Sequence, residues 1–217
     1  QRREGLEQVL DCFPFLISTN VSCSKLATAE PIFDLMIMDE AGQCSNPLSL
    51  LPMARCRRAL FVGDPSQLQP VITLPASRNT RLVWDYDIPQ AYDYKMNSIL
   101  STMLKIDTIS KFILLKHHYR CADLIIAFSN QKYYGGELVL CGPPTPSGAL
   151  TLIDVHSSAQ KQKNVAMEEV AEIVRQIRDH PQKKVAVITP FRRQAQMIRR
   201  VLSEQNLDFV KVGTIHT

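Results

Sequence analysis

Short apolar runs recur along the chain, each ending in polar residues or a Gly/Pro turn. They lie at residues 13–17, 35–38, 59–62, 112–115, 150–153, 185–188 and 209–212. Unbroken runs of this length predict strands buried on both faces of a mainly parallel sheet, because alternation is lost when both faces are covered. Amphipathic stretches separate them and predict helices over 47–54, 93–105, 122–130, 165–180 and 192–205. Strand, polar turn and helix in repetition give an α/β doubly wound class. Residues 72–92 interrupt the pattern with Pro75, Asn79 and Pro89, which predicts a long loop or a partly ordered excursion. A second loop is expected over the proline-rich residues 141–148.

In sheets of this class the chemistry gathers beyond the carboxyl ends of the strands, and polar motifs stand there in this chain. The run at 35–38 leads directly into Asp39 and Glu40. Paired acids at the tip of a strand suit nucleotide hydrolysis, in which one carboxylate holds a magnesium ion and the next orients water. A plain acidic turn has the same local sequence. The run at 59–62 leads into Gly63, Asp64, Pro65, Ser66 and Gln67. Gly63 is expected to permit a tight turn, while Asp64 and Gln67 bring a carboxylate and a neutral amide beside the first pair.

Charge adds a modest preference for anionic partners. The net charge is +4, with eleven basic against twelve acidic residues over 1–115 and fourteen against nine over 116–217. The basic excess of the second half is compatible with an anionic ligand without naming one. Arg192, Arg193, Arg199 and Arg200 form a basic stripe on one predicted helix, read as a solvated face. No run of eighteen apolar residues occurs, and the first thirty residues lack a signal-like core, so a soluble intracellular chain without membrane partners is expected. The six cysteines show no metal-ligand spacing and are expected to be free thiols packed as small apolar groups.

The ordered series of motifs resembles that of superfamily 1 helicases, in the 5′-to-3′ branch that includes the nonsense-mediated-decay helicase and senataxin. DEAGQ (39–43) and GDPSQLQP (63–70) resemble motifs II and III. LIST (16–19) resembles motif Ic, HYR (118–120) motif IV, and Asn130 with Tyr133, Tyr134 and Gly135 the segment after it. ITPFRRQ (188–194) resembles the second-domain TP(Y/F)xxQ motif, and GTIHT (213–217) the opening of motif V. The resemblance implies two RecA-like lobes with mainly parallel sheets, each incomplete, over 1–115 and 116–217. It implies an ATP-dependent helicase or translocase acting on single-stranded DNA or RNA with magnesium.

Carried over to these positions, Asp39 would bind Mg²⁺ through water and Glu40 would activate the lytic water. Gln67 would sense the γ-phosphate, and Arg120 would reach it as an arginine finger. Gln43, Gly63, Asp64 and Tyr119 would complete the nucleotide site. Thr19, Thr189, Pro190, Phe191, Thr214 and His216 would meet the nucleic-acid backbone.

The chain also departs from the pattern. No G-x-x-x-x-G-K-[ST] phosphate loop occurs in the 217 residues, and the family places that loop upstream and a further motif downstream. His117 and His118 stand where a Gln is more usual, and Gly42 replaces the commoner Ser or Thr, a mild change on sequence grounds. The isolated chain is therefore expected to lack ATPase activity, with the remaining helicase segments as its partners. A non-catalytic helicase remnant that binds nucleic acid or protein is the alternative. A small-molecule kinase is disfavoured by the separate Tyr119–Arg120 motif and by SQLQP.

Overall fold

A computed structural model describes residues 2–26, 30–146, 150–156, 164–181 and 184–215. The chain divides into two compact units. One comprises residues 1–118 and 127–141, the other 119–126 and 142–217.

The first unit opens with helix α1 (Arg2–Cys12) and a 3-10 turn (Ser22–Lys25). Its centre is a βαβ unit, in which strand β1 (Phe33–Met38) is joined through helix α2 (Asn46–Met53) to strand β2 (Cys56–Phe61). Pro47 sits in the first turn of α2, where its missing N–H costs no hydrogen bond. The strands pair in parallel, with Phe33 beside Cys56 and Met38 beside Phe61. Met36, Met38 and Phe61 pack with Ile99 and Leu100 of helix α4 (Ile99–Ile106), which follows helix α3 (Ala76–Asp85). The two-residue strands β3 (His117–His118) and β4 (Val139–Leu140), on either side of helix α5 (Asp123–Tyr133), form a second parallel pair.

The second unit is also built on a βαβ unit. After helix α6 (Met167–Asp179), strand β5 (Ala186–Thr189) leads through helix α7 (Arg192–Glu204) to strand β6 (Lys211–Thr214), again in parallel. Its core joins Val170, Val174 and Ile177 of α6 to Ile198 and Leu202 of α7, with Val210. Asp123, the first residue of α5, is tied to the loop that carries Thr145. It accepts Thr145 N–H at 2.8 Å and the Thr145 hydroxyl, and these bonds hold its carboxyl below the usual range.

Several expectations need correction. The parallel α/β pattern holds, but strands buried on both faces do not. Ile37 is 62% exposed and Ile188 71%, because each pair has only two strands and one covered face among the described residues. The apolar runs at 13–17, 112–115 and 150–153 form no strand, and Ile17 and Leu152 are almost fully exposed. An apolar run becomes a strand only where a neighbour completes its backbone hydrogen bonds.

Residues 72–92 are not a loop throughout, since α3 occupies ten of them. Pro75 stands just before that helix rather than inside it. The helix expected from residue 93 starts at Ile99, because the Asp93 carboxylate accepts Lys95 N–H at 2.8 Å and holds a turn. All six cysteines are free, and Cys12 and Cys141 are exposed rather than packed. Among the described residues no helix is long and apolar enough to cross a membrane.

Candidate nucleotide site

Parallel pairing brings the carboxyl ends of β1 and β2 to the same edge, and the two polar motifs lock together there. Val62 N–H donates to the Met38 carbonyl at 2.9 Å, and Ala41 N–H to the Val62 carbonyl at 2.9 Å. Backbone meets backbone so closely that a Cβ at either of two glycines would press on main-chain atoms. A Cβ on Gly42 would lie 2.9 Å from the Asp64 carbonyl oxygen. A Cβ on Gly63 would lie 3.0 Å from both Ala41 N and Gly42 N.

Gly63 therefore serves close approach between the two strand ends, and its backbone is not left-handed. At Gly42 an added Cβ would likewise require the neighbouring backbone to shift.

Asp39 and Glu40 leave this edge exposed to solvent. Asp39 Oδ1 accepts Glu40 N–H at 2.9 Å. Glu40 adopts a left-handed backbone (φ 51°, ψ 38°), which is unfavourable for a residue with a side chain. Such strain persists only where the surroundings enforce it, and it concentrates at functional positions. Its Oε2 accepts Gln43 Nε2–H at 3.1 Å. From β2, Asp64 Oδ1 accepts Ser66 N–H at 2.9 Å, and Oδ2 accepts Gln67 Nε2–H at 3.0 Å. Burial, followed by the neighbouring Glu40 charge, raises the Cys44 thiol, partly offset by a hydrogen bond from Asn20.

The first unit thus brings Asp39, Glu40, Gln43, Gly63, Asp64 and Gln67 to one edge. Thr19 stands apart from any strand end. Its hydroxyl donates to Ser22 Oγ at 3.0 Å and accepts Ser22 N–H at 3.2 Å, which makes it a turn former.

In the second unit, Tyr119 and Arg120 are exposed. Thr189 and Thr214 stand side by side as the paired last residues of β5 and β6. Thr189 is buried, and Phe191 N–H reaches its hydroxyl at 3.5 Å. Pro190 and Phe191 are exposed in the turn into α7. His216 lies outside the described residues.

The basic stripe of α7 is exposed, with all four arginines on the solvated face. Arg199 donates to the Val212 carbonyl at 3.1 and 2.7 Å, while Arg200 pairs with Glu204 at 2.9 Å. The motif residue Gln194, left without a role by the sequence, is buried and donates to and accepts from the Ala166 backbone at 3.2 and 2.9 Å.

Residues 1–74 match a family model described as an AAA domain, and residues 96–217 match a second of the same description. The chain belongs to this AAA domain family, a class of nucleotide-binding α/β proteins. Within the class it is a superfamily 1 helicase chain of the senataxin-like branch, with RecA-like α/β architecture.

Its relatives include the probable helicase senataxin of Homo sapiens, 26% identical over 195 residues, covering 80% of this chain and 7% of that protein. The DNA replication ATP-dependent helicase/nuclease DNA2 of Gallus gallus is 24% identical over 221 residues, covering 97% of this chain and 21% of that protein. The 5'-3' DNA helicase ZGRF1 of Mus musculus is 33% identical over 109 residues, covering 49% of this chain and 5% of that protein. The chain thus spans at most about a fifth of the length of these relatives.

Proposed function

We propose that this chain supplies the magnesium, water and arginine-finger residues of an ATP-dependent helicase or translocase on single-stranded DNA or RNA. The observation that supports this most is the strand-end lock, which fixes a strained Glu40 beside Asp39 while β2 delivers Asp64 and Gln67 to the same edge.

The donor set fits magnesium. Among the described residues no cluster of three or more acids, histidines or cysteines occurs. Magnesium needs none, since it retains several waters and takes one or two carboxylates plus phosphate oxygens. Asp39 would hold it, and when bound the ion would neutralise charge on the phosphates. Glu40 accepts a proton from the attacking water, and the exposed amide of Gln67 orients that water or a phosphate oxygen. By the motif resemblance Arg120, exposed in the second unit, would offer a planar array of donors suited to a phosphate. Thr189 and Thr214, with Pro190 and Phe191, offer hydroxyl, backbone and aromatic contacts to a nucleic-acid strand.

The test is Glu40→Gln in the natural protein that contains these residues, with ATP turnover measured in the presence of single-stranded DNA or RNA. The amide keeps the shape of the side chain and removes the base. Turnover should fall by about 100-fold or more while the KM for ATP changes little. A variant as fast as the wild type refutes the assignment.

A further inference from the structure

The segment after α5 carries a residue that the motif reading leaves without a role. Tyr134 is half-buried, and its hydroxyl donates to Asp64 Oδ2 at 2.5 Å, across 70 positions of sequence within the first unit. That same oxygen accepts the Gln67 amide.

The turn that presents Tyr134 is well determined. Tyr134 N–H and Gly136 N–H both donate to the Asn130 carbonyl, at 3.1 and 3.0 Å. Gly135 and Gly136 take left-handed backbones at φ 58° and 81°, a reversal that costs glycine little. Buried Asn130 closes the turn from the other side, donating to the Leu138 carbonyl at 3.1 Å and accepting Leu138 N–H at 3.0 Å.

We propose that Tyr134 is a positioning residue for the strand-end site, clamping the Asp64 carboxylate that in turn orients the Gln67 amide. Gln67 is exposed and otherwise free to change rotamer, so its direction depends on how firmly Asp64 is held. Ser66 N–H secures one carboxylate oxygen, and Tyr134 secures the oxygen that Gln67 uses. A donor fixed at the end of a helix turn restrains rotation of the carboxylate better than exchanging water does. Burial first, then the hydrogen bond to Asp64 and its negative charge, push the Tyr134 hydroxyl up to about 12. It remains a proton donor throughout the neutral range.

The inference rests on the proposed role of Gln67, and its test separates the two. In the natural protein, ATP turnover with single-stranded nucleic acid is compared for wild type, Tyr134→Phe, Asp64→Asn and the double variant. Loss of the clamp should lower kcat about tenfold, as for a hydrogen bond to a charged group, with the KM for ATP within about twofold. The melting temperature should stay close to that of the wild type. In Asp64→Asn the added Tyr134→Phe change should produce no further loss, because the link is already cut.

If wild type turns over ATP and Tyr134→Phe keeps its kcat, or if the two losses simply multiply, the positioning role is wrong and the helicase reading survives. If Tyr134→Phe lowers only the melting temperature, the bond is structural and the proposal is likewise overturned. A wild type without nucleic-acid-stimulated turnover sinks the functional reading and this inference together.

Discussion

Gly42 and Gly63 set how closely two strand ends approach, and so where four polar side chains begin. A Cβ at position 42 meets a backbone carbonyl at 2.9 Å, and that atom moves only if the strand end moves with it. Gly42→Ser should therefore destabilise the chain by about 1–3 kcal/mol, the usual cost of forcing atoms into a packed site. Denaturant unfolding measures this, and an unchanged midpoint would show that the strand ends part freely. The acids themselves were legible from sequence, since Asp39 and Glu40 follow an apolar run and Asp64 and Gln67 follow the next. The close approach at position 42 was not. It arises from a carbonyl 22 positions away, which no local pattern records.

At the scale of elements, the same βαβ unit is used twice, and in the second one a buried glutamine joins two helices. Gln194 is 3% exposed on α7 and satisfies both the N–H and the carbonyl of Ala166, the residue before α6. Replacing Gln194 with Leu keeps approximate volume and leaves the half-buried Ala166 N–H without its partner, while the Ala166 carbonyl still accepts Val170 N–H at 3.2 Å. The expected loss is about 1–3 kcal/mol of unfolding free energy, read from chemical denaturation. Stability equal to wild type would show that water reaches Ala166. Helices α2, α5, α6 and α7 were legible within a few residues, because their apolar faces repeat at helical spacing. The start of α4 was not, since Asp93 diverts the backbone into a turn. Helix α3 was hidden by Pro75, which reads as a breaker although it stands at a permitted position.

At the scale of the whole molecule, two units each present a parallel strand edge with polar residues at its carboxyl end. These 217 residues contain no glycine-rich phosphate loop, the backbone cradle that supplies most of the grip on a triphosphate in such enzymes. The isolated chain should therefore show no ATP turnover above background, with or without single-stranded nucleic acid. A steady-state phosphate-release assay decides it, and turnover comparable to a complete helicase would overturn the expectation.

The alternation of apolar runs and helical faces determined the parallel α/β class, and the residues ending those runs determined which side chains could do chemistry. These are local consequences of hydrophobic burial and strand direction. Tertiary structure alone decided which runs found a pairing partner, which strand faces stayed open, and that Tyr134 meets Asp64. Each of these depends on groups distant in sequence meeting at hydrogen-bonding or van der Waals range, and only the packed chain sets such distances.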